Sequence, residues 1–275
     1  MQYNFLVIGE TCTDKFVYGK VTRMSPEAPV PVFMPISTVT NEGMGGNVLN
    51  NLAAIIKSKY QNHSVYSILP DSNCEKTRFV DIKTNHYFLR VDENDSFKRI
   101  EFSDPNLKTI AKADCIIISD YDKGFIHEQD IKRIRSLVMG HTLIFLDTKK
   151  KISRDLLQWV DFVKLNETEY LQNFSNEQKL LFYDKVVVTL GEKGAKYLDI
   201  FFEQENPKTT YDVSGAGDTF TAALAYHYMI NKNITEAIKY ANSVAAEVVT
   251  KKGVSTIWNS HVLGVGVVAK ELNLL

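Results

Sequence analysis

The stretch Asp212-Val-Ser-Gly-Ala-Gly-Asp-Thr-Phe220 leads directly into a helical pattern that extends to Asn231. Two glycines flank one alanine, so backbone N–H groups are open at a helix N-terminus, where the helix dipole favours an anion. Asp218 lies at this helix start, which favours the ionised carboxylate and suits a general base. The alternative is an ordinary helix cap, because Asp and Gly are common at helix starts.

Short apolar runs alternate with helical patterns along the rest of the chain. The predicted strands are Phe5–Gly9, Ser64–Leu69, Cys115–Ser119, Thr142–Leu146, Phe162–Leu165 and Lys185–Leu190. The predicted helices are Asn47–Lys57, Glu128–Met139, Asp218–Asn231 and Thr235–Lys251, with a weaker one near the C-terminus. Continuous apolar strands that alternate with helices predict an α/β fold, in which helices flank both faces of a mostly parallel sheet.

Two segments break this alternation. Residues 16–40 contain four prolines among Val and Phe residues, and residues 84–102 alternate polar and apolar side chains around a turn at Asp92–Ser96. Both patterns predict antiparallel strands instead of crossover helices. Since no long linker divides the sequence, we expect one domain over residues 1–275, with a small β lid from about 16–40 and 84–102.

Composition narrows the functional class. The chain has 275 residues, 44% of them hydrophobic and 24% charged, with a formal net charge of −1, which is typical of a globular protein without general attraction to nucleic acid or membranes. Its three cysteines predict reduced thiols in a cytoplasmic protein, and the N-terminus resembles neither a signal peptide nor a membrane span. No Gly-x-x-x-x-Gly-Lys-Ser/Thr loop is present, which argues against a P-loop site.

Polar residues near the first strand form a second candidate site. Gly43-Met-Gly-Gly-Asn47 precedes a helix, where bare backbone and the Asn47 amide could contact sugar hydroxyls. The alternative is a turn into a helix capped by Asn47. Asp14 follows the first strand, near the edge where open α/β sheets bind ligands, although a loop or cap role is equally open.

Three more segments follow predicted strands. Asn166-Glu-Thr-Glu169 could organise a hydrated Mg²⁺ through its oxygens, or form a capping box. Ser119–Gly124 places Asp120 and Lys123 where a ligand could bind, or forms a solvated turn. Thr189–Gly194 is consistent with a nucleotide-contacting turn or with an ordinary hairpin.

Taken together and in this order, the motifs resemble those of the ribokinase-like carbohydrate kinases, the family that also contains phosphofructokinase B. The resemblance covers nearly the whole chain, from the first strand to about Gly253. Asp212–Phe220 matches the C-terminal family signature, Gly43–Asn47 matches the N-terminal glycine signature more loosely, and Asn166 and Glu169 match the Asn-x-x-Glu motif. The resemblance implies a three-layer ribokinase-like fold with a small antiparallel β lid.

Within this family, Thr22-Arg-Met-Ser-Pro-Glu-Ala-Pro-Val-Pro31 is similar to the heptose 7-phosphate kinase domain of ADP-heptose synthesis proteins. Ser119–Gly124, Lys76–Val80 and Phe88–Asp92 fit the same subgroup. This resemblance implies an ATP-dependent kinase that phosphorylates the anomeric hydroxyl of D-glycero-D-manno-heptose 7-phosphate. The alternatives are a kinase of another sugar, sugar phosphate or nucleoside, and a catalytically weak sugar- or nucleotide-binding protein of the same fold.

The family resemblance also implies a role for individual residues. Asp218 would deprotonate the acceptor hydroxyl, and the transferring phosphoryl would receive N–H groups from Gly215, Ala216 and Gly217. Acceptor hydroxyls would be held by Asp14, Gly45, Gly46 and Asn47. We expect further acceptor contacts from Asp120 and Lys123, and contacts to an acceptor phosphate from Arg23, Arg90 and Lys123.

The resemblance implies the remaining ligands as well. Mg²⁺ would be held by Asn166 and Glu169 through water. The ATP site would be lined by Thr189, Gly191, Gly194, Asn242 and Ala246. A monovalent cation such as K⁺ would bind near Asp212, Ser214 and Ser255. The segment between about 56 and 76 is shorter than in relatives, which could reshape the acceptor pocket or an oligomer interface, and we expect a homodimer through the lid.

Overall fold

The computed structural model describes residues 1–59, 61–71, 73–174, 183–204 and 213–250. Its strands, in chain order, are β1 (Asn4–Gly9), β2 (Thr11–Met24), β3 (Pro31–Met44), β4 (Ser64–Ile68), β5 (Glu75–Asp81), β6 (Tyr87–Glu93), β7 (Cys115–Asp120), β8 (Leu143–Thr148), β9 (Phe162–Asn166), β10 (Val186–Thr189), β11 (Ala195–Tyr197) and β12 (Ile200–Phe202). Its helices are α1 (Gly45–Ser58), α2 (Asp104–Lys112), α3 (Glu128–Leu137), α4 (Glu167–Asn173), α5 (Ala216–Asn231) and α6 (Ile234–Val248).

Eight strands form the main sheet, in the order β12-β11-β10-β9-β8-β7-β1-β4. Neighbouring strands pair in parallel along the series β4, β1, β7, β8, β9 and β10. β11 pairs antiparallel with both β10 and β12. The predicted mostly parallel sheet is therefore confirmed. The sequence did not predict strands β11 and β12, because both are too short to give a clear apolar period.

Helices cover both faces of the main sheet, because successive strand residues point to opposite faces. One face packs against α1, α5 and α6, and its buried strand residues include Phe5, Val7, Cys115 and Ile117. The other face packs against α2 and α3, and its buried strand residues include Leu6, Ile8, Ile116 and Ile118. These two apolar layers confirm the predicted three-layer α/β fold. Within the described residues, no helix is long and apolar enough to cross a bilayer.

A second sheet of four strands, which we call the small sheet, has the order β3-β2-β5-β6. β2 pairs antiparallel with β3, and β5 pairs antiparallel with β6, as predicted for the lid. β2 and β5 pair in parallel, so the small sheet consists of two antiparallel hairpins joined by one parallel contact. The sequence did not indicate β5 because charged or polar residues occupy most of its positions, and yet Lys76, Thr77 and Arg78 are buried.

The edge strands of the small sheet expose apolar side chains. Met34, Ile36 and Val39 are exposed on β3, and Tyr87, Phe88 and Leu89 are exposed on β6. An exposed apolar surface of this kind marks an interaction surface. The homodimer through the lid stays a prediction, which sedimentation equilibrium of the purified protein would test.

Candidate active site

The predicted site residues meet where the parallel strands of the main sheet end. β1, β7, β8 and β9 all finish at this edge, and the glycine turn before α5 lies beside them. The small sheet lies over the same edge, because β2 continues from β1 after a single residue, Glu10. Ligands of open α/β sheets bind at this position.

Asp218 is buried at the centre of this edge, and both of its carboxylate oxygens accept hydrogen bonds. The Tyr121 hydroxyl donates to Oδ1 over 2.7 Å, and the Asn47 amide donates to Oδ2 over 2.9 Å. Burial raises the pKa of Asp218 to about 6, against the opposing effect of these two bonds. A carboxylate that takes up protons near neutral pH suits a general base. No side-chain bond caps the start of α5, so the geometry does not support the helix-cap alternative.

The two glycines of the turn have different physical roles. Gly215 has a φ of 82°, in the left-handed region that glycine adopts without strain. A Cβ on Gly217 would lie 3.1 Å from the Lys164 ammonium nitrogen, so a side chain there would crowd the lysine. The Ala216 N–H donates to the Val213 carbonyl over 3.2 Å. The predicted contacts of this turn with a phosphoryl group stay predictions.

A buried group of charges lies beneath the turn. Lys164 donates to Asp147 Oδ2 over 2.7 Å, and Thr221 donates to the same oxygen over 3.0 Å. Burial alone would raise the pKa of Asp147, yet Lys164 and Lys149 hold it below its ordinary value. The positive charge of Lys164 is therefore fixed next to the backbone that would meet a phosphoryl group.

A cavity of about 150 Å³ opens beside Asp218. Besides Asp218, its lining residues are Cys12, Asp14, Met44, Lys76, Arg78, Arg90, Tyr121, Ser214 and Gly215. Arg78 forms a buried ion pair with Asp14, and Arg90 makes a two-bond contact with Asp92. The cavity thus combines a base with three cationic side chains from β5 and β6.

A family model described as "pfkB family carbohydrate kinase" matches residues 47–260. The chain belongs to the pfkB family of carbohydrate kinases. The match and the fold together support an ATP-dependent sugar kinase, and kinases of this family use ATP with a divalent metal.

Among curated relatives, this pfkB kinase is 28% identical over 300 residues to "Bifunctional protein HldE" of Nitratiruptor sp., an alignment that covers 93% of this chain and 63% of the relative. It is 30% identical over 291 residues to the protein of the same name from Helicobacter pylori strain J99, covering 90% of this chain and 63% of the relative. The chain thus spans about 63% of the length of these relatives.

Solved structures share the fold of this pfkB kinase. Arabidopsis thaliana ribokinase complexed with ribose and ATP superimposes with a TM-score of 0.68 at 18% identity, covering 94% of this chain and 95% of that chain. Escherichia coli phosphofructokinase-2 in complex with potassium superimposes with a TM-score of 0.62 at 13% identity, covering 92% and 94%. These similarities confirm the ribokinase-like fold.

Three predicted acceptor residues of this pfkB kinase, namely Arg23, Gly45 and Gly46, are not among those that line the cavity. Arg23 is exposed near the far end of β2, because the strand continues well past Asp14. Gly45 and Gly46 are buried at the start of α1, where a Cβ would come within 2.8 Å of Glu10 and 2.7 Å of Thr11. The two glycines pack closely against β2 and Glu10, and Arg23 does not line the cavity, so the acceptor contacts of all three stay predictions that this geometry does not itself support.

Asp120 and Lys123 also make contacts outside the cavity lining. Asp120 is buried and accepts from Thr148 over 2.8 Å and from Lys150 over 2.9 Å. Lys123 forms an ion pair with Asp95. Asp120 thus joins the ends of β7 and β8, and its acceptor contact stays a prediction. Lys123 is linked through the Asp95 carboxylate to Lys76, which lines the cavity and lies 3.8 Å from that carboxylate.

The predicted ATP residues lie on α6 and on the hairpin of β10 and β11, which β12 extends. The turn Thr189–Gly194 joins β10 to β11, which confirms the hairpin alternative for this segment. Asn242 on α6 donates to the Phe202 carbonyl over 2.9 Å, so the helix and the hairpin are joined at this point. Gly194 has a φ of 96°, and a Cβ there would lie 2.1 Å from the same carbonyl. Thr189, Gly191 and Ala246 lie on the same hairpin and helix, and their ATP contacts stay predictions. Asp212 and Ser255, of the predicted K⁺ site, lie outside the described residues.

Asn166 and Glu169 form the capping box that the sequence left as an alternative. The Glu169 N–H donates to Asn166 Oδ1 over 2.8 Å, and the Asn166 N–H donates to Glu169 Oε2 over 2.8 Å. Lys149 also donates to Glu169 Oε1 over 2.7 Å. In the described part of the chain, no three His, Cys, Asp or Glu side chains cluster as a metal site. The predicted contacts of Asn166 and Glu169 with Mg²⁺ through water stay a prediction.

Replacement of Glu169 by Gln should raise the Mg²⁺ concentration for half-maximal rate by about tenfold. The substitution removes the negative charge of a side chain that would hold the metal through water. Gln still serves in a capping box, so the fold should persist. A Mg²⁺ titration of the initial rate measures the effect. Glu167→Gln is the matched control, since Glu167 is exposed in the same helical turn. Superimposable titrations of wild type and Glu169→Gln would leave only the cap.

The residues of this site that sequence reasoning missed include Glu10, Arg78, Tyr121 and Lys164. Lys164 lies in the apolar run FVKLN, where one lysine gives no sign that it is buried. Tyr121 lies between Asp120 and Asp122, in a stretch typical of a solvated turn. Their contacts join segments that are distant in sequence, and only the subgroup similarity of Lys76–Val80 and Ser119–Gly124 pointed towards two of them.

Proposed function

We propose that this kinase transfers the γ-phosphoryl group of ATP to the anomeric hydroxyl of D-glycero-D-manno-heptose 7-phosphate. The observation that carries the proposal is the cavity beside Asp218, into which β5 and β6 direct Lys76, Arg78 and Arg90. A base next to a cationic cavity suits an acceptor that has both a hydroxyl and a phosphate. The subgroup motifs and the similarity to HldE proteins support the choice of heptose 7-phosphate.

The site residues supply a base and an electrostatic cradle for this transfer. Asp218 takes the proton of the acceptor hydroxyl while the hydroxyl oxygen bonds to the γ-phosphorus. The bond between that phosphorus and the oxygen that leaves with ADP breaks in the same step. The N–H groups of Gly215 and Gly217 donate to the phosphoryl oxygens, with Lys164 beneath the turn, and the Ala216 N–H joins them by exchanging its long 3.2 Å bond to Val213. Charge that develops in the transition state is stabilised best by groups that are already oriented.

Acceptor binding divides between groups that suit hydroxyls and groups that suit a phosphate. Asn47 contacts Asp218, and Asp14 lines the same cavity; they suit sugar hydroxyls, because they offer oxygen acceptors and an amide donor. Lys76 lies 3.8 Å from the Asp95 carboxylate, a longer separation than that of a strong ion pair, and Arg90 is half-exposed beside Asp92. Lys76 and Arg90 thus retain donors for a phosphate dianion, with Lys123 at the entrance.

Bound Mg²⁺ would neutralise charge on the ATP phosphates. Asn166 and Glu169 would hold it through water, and Lys149 orients the Glu169 carboxylate. We also propose a cytoplasmic location, where ATP is available. The three cysteines are all buried thiols, which supports a reducing compartment.

The geometry disfavours the alternative of a binding protein that has lost turnover. The Asp218 carboxylate is buried and oriented by two donors, which a mere binding site does not require. A kinase of another sugar, sugar phosphate or nucleoside uses the same base, so only the acceptor distinguishes these proposals.

Release of ADP by the purified protein, measured against a panel of acceptors, tests the function. The panel contains heptose 7-phosphate, the free heptose, hexose phosphates, free hexoses and nucleosides. We expect the highest kcat/KM with heptose 7-phosphate, and NMR of the product should show a new anomeric phosphate. Preference for a nucleoside or a free hexose would replace the proposed acceptor, and absence of turnover with every acceptor would favour the binding protein.

A further inference from the structure

The Tyr121 side chain connects the catalytic base to both halves of the site. Its hydroxyl donates to Asp218 Oδ1 over 2.7 Å. Its ring centre lies 5.6 Å from the ammonium nitrogen of Lys76, on the small sheet, and 5.5 Å from that of Lys149, which follows β8. Two cations near one aromatic ring restrain its position.

The backbone around Tyr121 is fixed by a buried carboxylate. Glu10, which is fully buried, accepts from the Tyr121 N–H over 2.7 Å. It also accepts from the N–H groups of Lys123 and Phe125, each over 3.2 Å. Three hydrogen bonds to one charged group hold this loop against β1, and the tyrosine hydroxyl therefore meets Asp218 at a fixed place.

The geometry points to Tyr121 as a positioning residue for the reaction proposed above: its hydroxyl orients the Asp218 carboxylate and keeps it ionised for proton transfer. This inference rests on the proposed kinase function. Tyr121 donates to one oxygen and Asn47 to the other, so the plane of the carboxylate is fixed. Each oxygen retains a second lone pair that the acceptor hydroxyl can approach.

The ionisation of Asp218 responds to groups on several elements. The Tyr121 and Asn47 bonds and the charge of Lys164 favour the carboxylate, whereas burial and Asp147 oppose it. Burial and the nearby Asp218 raise the pKa of Tyr121 far above neutral, so its hydroxyl remains a donor. The other charged groups that face this region are Lys149 from the main sheet and Asp14, Lys76, Arg78 and Arg90 from the small sheet.

Removal of the donor therefore has a defined sign. A hydrogen bond to an ionised group lowers its pKa, so Tyr121→Phe should raise the pKa of Asp218 by about one unit above its value of about 6. The acidic limb of kcat/KM should move upward by the same amount. At pH 6 the rate constant kcat/KM should fall about fivefold, while near pH 8 the loss from ionisation should nearly vanish.

The experiment titrates Asp218 directly and through turnover. Protein labelled with ¹³C at the Asp side-chain carboxyl is titrated by NMR, and the Asp218 signal is assigned by its absence in Asp218→Asn. Tyr197→Phe is the matched control, because it also loses a tyrosine hydroxyl bond, to the Asp184 carbonyl, but away from the site. We expect the ¹³C titration and the acidic limb to shift together in Tyr121→Phe and to remain unchanged in Tyr197→Phe.

Two results would overturn the inference. One is an unchanged Asp218 titration in Tyr121→Phe. The other is a lower KM for the acceptor with no shift of the acidic limb, which would mean that Tyr121 merely occupies the place of the acceptor hydroxyl. The NMR titration needs no turnover, so a wild-type protein that phosphorylates nothing would reject the proposed function independently of this result.

Discussion

Asp218→Asn should lower kcat by about 10²–10⁴-fold while ATP binding is retained. The amide cannot take the proton of the acceptor hydroxyl, although it has the shape of the carboxylate. It also keeps both neighbours: its oxygen can accept from Asn47, and its NH₂ group can donate to the Tyr121 hydroxyl, which is able to rotate. Single-turnover rates, with ATP binding by calorimetry, measure the two quantities.

The same variant separates a base from a helix cap through stability. Because burial raises the pKa of Asp218 above its unfolded value of 3.8, ionisation destabilises the folded protein as the pH rises from about 4 to about 6. Asn removes that cost, so the free energy of unfolding at pH 8 should equal or exceed that of wild type. Loss of a cap would instead cost about 1 kcal/mol with activity retained. Asp104→Asn, an exposed first-turn aspartate of α2, is the control.

The second large effect concerns the acceptor phosphate. The kcat/KM for heptose 7-phosphate should exceed that for the free heptose by at least about a hundredfold, because the free sugar loses two charge-assisted bonds worth about 1.5–3 kcal/mol each. In the proposed function these bonds come from Lys76 and Arg90, which line the cavity. Initial rates at subsaturating acceptor, with ADP release as the signal, give both constants.

Two arginine variants show where the phosphate binds. Arg90→Gln should lower kcat/KM for the phosphorylated acceptor about tenfold or more and leave the free sugar almost unchanged. Arg23→Gln should change neither, since Arg23 is exposed near the far end of β2. Equal use of both sugars by wild type would mean that no phosphate pocket exists, and the chain would then be placed among kinases of free sugars or nucleosides.

The main sheet could be predicted from the sequence because its strands bury both faces. Runs such as Cys115–Ser119 are almost continuously apolar and rich in β-branched residues, a pattern typical of parallel strands that are buried on both faces. α2 was missed because Ile110 is the one residue that this helix buries, so no apolar stripe marks it in the sequence. β5 was missed because its buried Lys76 and Arg78 are stabilised by carboxylates on other segments.

The candidate site was predictable only in part, because many of its contacts join segments that are distant in the sequence. Asp218 could be predicted because glycines next to it mark a backbone conformation, which is a local property. Tyr121 and Lys164 owe their roles to partners that are distant in the chain, namely Asp218 and Asp147. Arg23 does not line the cavity, and a basic residue near a motif does not reveal where its strand ends.

The parallel contact between β2 and β5 divides the small sheet into two hairpins with separate tasks. The cations that line the cavity all belong to the β5–β6 hairpin, within residues 75–93. The base, its glycine turn and the buried lysine belong to the main sheet and α5. In the proposed function, the groups that bind the acceptor phosphate and the groups that transfer the phosphoryl therefore belong to different parts of the chain. Substitutions within this one short hairpin should change the preference for a phosphorylated acceptor and leave the base and its glycine turn in place.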